Sequence, residues 1–422
     1  MLIPKYWAQH KQSFKSSVST GGASDSGEST QVTIKRYGWS DDSRAGALGR
    51  AKERVHEAHQ RWLDGEDIVK RERSEEYNEK NGIPIREEIV AEYGFSERGL
   101  IAGHIADRQP EHQLSDTGLI VTRNGYGAQV ANVNKIAIVD VDHADLLHHH
   151  YPDEYDENGY MTELAIKQSS PTGKVKVWFF VLAFVLIASV IAWLELSWLW
   201  LIAVMVAVTA YLWQQASKKD KARTQKRADD TASLQPLVVD LVRKRVATHS
   251  HEQFRLYETP EGFRLIATHD NIEPSDALVA EWFEHFHADA NYVRLCQAQC
   301  CFRARLTAKP WRMAEVNEKG TLNKNIPTKD FWSMPSDDVD SEENEWRHAA
   351  LEAREKWLAD YDKYAKNYRA CRYIETYSGR EATRFGVAAS DISTQALTRA
   401  AINGFIRWHD DACQVDKDLD LA

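Results

Sequence analysis

The run Ile136-Ala137-Ile138-Val139-Asp140-Val141-Asp142 sets two carboxylates at alternate positions of an apolar stretch. Alternation along a strand sends both to one face, roughly 6 to 7 Å apart. A carboxylate pair at that spacing can hold Mg²⁺ or Mn²⁺ for phosphoryl or nucleotidyl transfer. Asp140 and Asp142 are therefore candidate metal ligands; the competing reading is a strand end whose acids face solvent. A second concentration of charge, Arg303, Arg305, Lys309 and Arg312, is interleaved with Phe302 and Trp311. Guanidinium groups beside aromatics can clamp a phosphate and stack a base, or lie against anionic lipid headgroups. Nucleic acid and anionic lipid are thus its candidate partners, and pairing with nearby carboxylates is the alternative. His143 with His148-His149-His150, and Cys296, Cys300 and Cys301 near His285 and His287, supply ligand types for zinc or nickel. No C-x-x-C accompanies the cysteines, which read as buried free thiols, and the histidine run reads as a solvated surface. No Walker loop, G-x-G-x-x-G, G-x-S-x-G or H-E-x-x-H occurs.

The chain that must position these groups has 422 residues, 27% charged and 43% hydrophobic, with a net charge of -10. This is an ordinary globular balance, and the acidity argues against a general polyanion binder. Five cysteines form no disulfide framework, which points to a reducing compartment. The first residues lack the basic start and apolar run of a signal peptide.

One stretch departs from this balance. Trp178 to Trp213 is almost wholly apolar and nearly twice the roughly 20 residues that cross a bilayer. Glu195, its only charge, lies between Trp193 and Trp198 at the midpoint, where a turn at a membrane surface would fall. The pattern predicts a transmembrane helical hairpin over 175–213, with spans at about 175–194 and 196–213. Lys167, Lys174 and Lys176 precede it, and Lys218, Lys219, Lys221, Arg223, Lys226 and Arg227 follow it. Positive flanks on both sides predict cytoplasmic N- and C-termini, and a lipid bilayer, the bacterial inner membrane, as the place of residence.

Elsewhere the periodicities predict strands at about 2–7 and 31–37, a helix from about Arg44 to Leu63 and a short helix opening at Pro84. Three strands follow within Gly118–His143. Beyond the apolar run come a helix at about 231–248, a β-hairpin from Phe254 to Thr268, and helices at about 275–287, 291–299, 342–375 and 393–408. The expected fold class is an α+β cytoplasmic domain interrupted by a two-helix transmembrane hairpin. Segments 1–170 and 214–335 share one sheet in this reading, and 336–422 forms a helical region.

The strand ending in D-x-D, the later hairpin TPEGFRLIAT and the basic stretch FRARLTAKPWR resemble the palm of archaeo-eukaryotic-type primase-polymerases. That resemblance, over about a third of the chain, implies metal-dependent nucleotidyl transfer through Asp140 and Asp142. Arg264 stands where the family's histidine is expected. RYGWSD, VTRNGYGA and FRARLTAKPWR also resemble a group of uncharacterised bacterial proteins over most of the chain, which brings no activity with it. The sequence thus carries two expectations: a membrane-anchored domain that acts by binding, or a metal-dependent phosphoryl- or nucleotidyl-transfer enzyme with Arg303, Arg305 and Lys309 on phosphates.

Overall fold

A computed structural model describes residues 1–17, 29–71, 83–96, 99–102, 114–162, 165, 189, 199–332, 341–381 and 392–422. The chain is α+β and divides into two units, one made of Met1–Asp140 with Lys244–Ala422, the other of Val141–Arg243. The first opens with the antiparallel pair β1 (Tyr6–Ser17) and β2 (Ser29–Ser40), followed by α1 (Arg44–Leu63). Ser43 starts this helix because its side chain accepts the Gly46 N–H, relieving one of the unpaired donors of the first turn. Val55 and Ala58 on its inner face close over Val32 and Ile34 of β2.

The later strands are β3 (Glu88–Ser96), β4 (Gly99–Ala102), β5 (Leu114–Arg123), β6 (Gln129–Val133), β7 (Ile138–Asp142), β8 (Gln253–Thr259), β9 (Gly262–Ala267), β10 (Phe302–Arg305), β11 (Tyr368–Arg369), β12 (Arg372–Ser378) and β13 (Asp420–Leu421). They form a five-stranded sheet ordered β10-β6-β5-β3-β4, a four-stranded sheet ordered β12-β8-β9-β7, and the short pair β11-β13. Each of the two larger sheets combines strands from before and after the second unit. Among the described residues, the helices of eight or more residues after α1 are α2 (His143–His150), α3 (Leu199–Ala232), α4 (Leu234–Thr248), α5 (Ala277–His285), α6 (Ala290–Gln299), α7 (Ser341–Ala365) and α8 (Ile392–Ala412). Helix α8 packs on β3, β4 and β5. Gly404 makes that approach possible, since a Cβ there would stand 3.3 Å from the Phe95 ring.

In the second unit α2 packs against α3. Tyr155 donates to Asp230, and Lys226 bridges Glu154 and Asp230. The expected transmembrane hairpin is not supported here. Among the described residues no helix is long and apolar enough to cross a membrane. The first expected span, 175–194, lies outside the described residues apart from Ser189. The second is the start of α3, whose apolar part, Leu199–Trp213, gives way to Gln214, Gln215 and a charged continuation to Ala232. The corollaries fall with it: a two-span protein, inner-membrane residence and a hairpin anchor.

Two further expectations are corrected. Pro84-Ile85-Arg86-Glu87-Glu88 has the Pro and early acids of a helix start, yet Glu88–Ser96 is strand β3, paired to β5 along its length. Sheet pairing overrides the local signal. The tail helix stops at Ala365, and Arg372–Ser378, with alternating Tyr373, Glu375 and Tyr377, joins β8 as an edge strand.

Arg245 near the end of α4 donates twice to Glu252, at 2.8 and 2.7 Å, and Trp282 of α5 donates to the same carboxylate. Burial alone would raise the Glu252 carboxyl, but Arg245 outweighs it and holds the group below the ordinary glutamate range. A folded-state value that is depressed contributes stability above the unfolded value and loses it as pH falls through the folded one. The thermal midpoint should therefore drop on acidification below the ordinary glutamate range, and Glu252→Gln should flatten that part of the profile. An identical acid slope in the variant would show that the pair carries none of it.

Candidate functional site

Arg264, in the middle of β9, is fully buried and joins two groups of residues. On one side its Nε lies 3.6 Å from Asp140 Oδ1, the carboxylate of the neighbouring strand β7. On the other its Nη1 donates to the Arg305 carbonyl at 3.2 Å and to His409 Nε2 at 3.1 Å. A guanidinium is always charged and only donates, so His409 Nε2 must offer a lone pair, and the imidazole proton sits on Nδ1. That proton points to Asp410 Oδ1 at 3.0 Å. Asp410 is fixed in turn by the Tyr257 hydroxyl and the Arg255 guanidinium, each donating at 2.8 Å from β8.

His409 and Cys413 are four residues apart at the end of α8 and share a face. The helix stops there because Gln414 adopts φ 57, in the left-handed region. The segment before β12 is tied to this end. Ala370 N–H donates to the Cys413 carbonyl, and Gln414 Nε2 to the Tyr368 carbonyl. Cys371 is thereby set beside His409 and Cys413. The two sulfurs and a ring nitrogen lie within 4.8 Å of one another, and all three residues are fully buried. Burial pushes the Cys371 thiol up, but its contacts with Cys413 and His409 and the charge of Arg264 outweigh this and hold it well below the thiol range. Burial and the neighbouring Cys371 push Cys413 the other way. Burial lowers His409, and Asp410 and Cys371 raise it further than that. A second proton on Nε2 would nevertheless face the Arg264 N–H, so the neutral ring is the form the geometry accommodates.

Asp140 and Asp142 occupy alternate positions of β7, both half-buried, with Val139 and Val141 buried. Asp140 is the last residue of the first unit and Asp142 belongs to the second. Burial raises the Asp140 carboxyl above its ordinary range, against the opposing charges of Arg264, Arg305 and Lys309. Its nearest charged partner is a guanidinium.

The basic patch divides. Arg303 is buried and donates to both Glu87 oxygens, at 2.8 and 2.9 Å, while Thr122 donates to the same carboxylate. Arg312 pairs with Glu261, and the Lys309 ammonium stands over the Trp311 ring. Arg305 acts on Asp140. Glu87→Gln would remove the carboxylate that engages the buried Arg303 guanidinium through both its oxygens, at an expected cost of about 3–5 kcal/mol. Urea unfolding checks it; a change below about 1 kcal/mol would mean that the pair is dispensable.

Of the other sequence candidates, His148 Nδ1 meets the Tyr155 carbonyl while His149 and His150 are exposed. Burial pushes the Cys296 and Cys301 thiols up to about 12, and Cys300 is exposed. Cys371, His409, Asp410 and Cys413 were not singled out from the sequence. The available signal was the i, i+4 spacing of His409 and Cys413 on a helix. No protein family model, curated protein or solved structure matches this chain.

Proposed function

We propose that the first unit binds a protonated oxyanion of the phosphate class, held by Arg264 and Arg305 with Asp140 accepting its proton. One observation carries the reading. Arg264 Nε and Asp140 Oδ1 face each other as a loose ion pair at 3.6 Å, and Arg305 Nη1 beside them is a buried donor without a hydrogen-bond partner among the described residues; all three belong to one electrostatically linked cluster. A buried polar atom left unpaired costs about 1–3 kcal/mol, so the unpaired Arg305 donor beside an ion pair held beyond hydrogen-bond distance marks a place that a complementary ligand would stabilise. Phosphate at neutral pH supplies both kinds of group: unprotonated oxygens for the guanidinium donors and a P–O–H for the carboxylate. Sulfate has no proton to offer and would meet the Asp140 charge directly.

The raised proton affinity of Asp140 suits it to share that proton. Its side chain is 32% exposed, although the Oδ1 that faces Arg264 is buried. Lys309 adds positive charge toward the same carboxylate. Arg303 and Arg312 play no part in this reading, because Glu87 and Glu261 engage them.

Calorimetric titration of the full chain with phosphate tests it through Arg305→Met. Loss of one charge-assisted bond, about 1.5–3 kcal/mol, should weaken phosphate binding tenfold or more while the thermal midpoint stays near that of the wild type. Unchanged affinity in the variant would contradict the reading.

A further inference from the structure

We propose that Cys371, His409 and Cys413 form a buried binding site for one divalent ion of the zinc class. The inference is independent of the oxyanion reading, although both meet at Arg264. Two thiolates and an imidazole nitrogen are a donor set that favours zinc over magnesium, calcium or manganese. The edge between His409 Nε2 and Cys413 Sγ is 3.5 Å. Zinc bonded to sulfur at about 2.3 Å and to nitrogen at about 2.0 Å in a tetrahedron has ligands about 3.5 Å apart, so these two atoms already stand at coordination spacing.

The surroundings support the same use. The nitrogen of His409 that faces the sulfurs is the accepting one, because Asp410 holds the proton on the other. A carboxylate behind a ligating imidazole is the usual device for fixing its tautomer and orientation. Asp410 is itself immobilised by Tyr257 and Arg255, so the ring has little freedom to turn away. A backbone hydrogen bond from the Ala370 N–H to the Cys413 carbonyl holds the two cysteine segments together.

Through its Nη1, Arg264 competes for His409 Nε2. Its Nη1 has a second acceptor in the Arg305 carbonyl, so it can release the ring and remain hydrogen-bonded. Metal binding displaces the Cys413 proton to solvent. The two thiolates then neutralise the dication, and Arg264 is left paired with Asp140.

The test uses the full chain, purified without a metal-affinity step. Its zinc content is measured by mass spectrometry of the elements, and cobalt is added to the metal-stripped protein. The expected result is one equivalent of zinc per chain and a thiolate-to-cobalt charge-transfer band. Both should disappear in Cys371→Ser and in Cys413→Ser and persist in Cys300→Ser, whose thiol is exposed. If the serine variants fail to fold, the wild-type cobalt spectrum alone decides. Absence of both stoichiometric zinc and the band in the wild type overturns the proposal, as does a band that survives in folded Cys371→Ser.

Discussion

Arg264→Met is expected to cost about 3–5 kcal/mol of folding stability and to abolish phosphate binding together. The methionine fills a similar volume, so the loss is electrostatic rather than a matter of packing. Arg264 is fully buried, and its Nη1 serves the Arg305 carbonyl and His409 while its Nε faces Asp140. Removing it takes a buried guanidinium from the Asp140 carboxylate and from the Cys371, His409 and Cys413 cluster. Arg264→Lys separates the two effects. The ammonium keeps the charge and should recover part of the stability, but it lacks the planar fork that reaches three acceptors and should not restore binding. Chemical denaturation and calorimetry on the same samples check both. A methionine variant as stable as the wild type would mean that Arg264 is not the hub of this cluster.

The second large effect is a change of preference. Asp140→Asn replaces an acceptor that takes the P–O–H proton with an amide that can donate. Phosphate should bind more weakly and sulfate more tightly. If each change is worth one charge-assisted hydrogen bond, about 1.5–3 kcal/mol, the ratio of the two affinities should swing on the order of 100-fold. Equal losses for both anions would indicate that Asp140 only shapes the site. The removed charge also lessens the pairing of Arg264, so stability must be measured alongside.

Much of the fold was legible because its signals are local. Ser43 and the spacing of Ala51, Val55 and Ala58 define α1 at both ends, and the strands of 118–143 and the hairpin of β8 and β9 stand between turn residues. The misreadings occur where tertiary pairing decides. Glu88–Ser96 begins with helix-like chemistry and is captured by β5, and Arg372–Ser378 is captured by β8. The apolar run was read from its length across residues only part of which are described. In the described part, the apolar stretch of α3 is too short to span and continues into a charged helix.

The site was legible only in fragments. Asp140 and Arg305 drew attention through their neighbours in sequence, the D-x-D and the basic run, yet Arg303 of the same run is engaged by Glu87. Arg264 appeared only as a departure from a histidine. Cys371, His409 and Cys413 carry no motif, because β7, β9, β10, α8 and the link before β12 each contribute a residue or two, and only the packing of α8 brings them together.

The most direct test of the oxyanion site is calorimetric titration of the wild-type chain at neutral pH, first with phosphate and then with sulfate. The account predicts saturable binding of one phosphate per chain and sulfate binding weaker by tenfold or more, from the single proton that Asp140 accepts. Equal heats for the two anions, or none for phosphate, would contradict it.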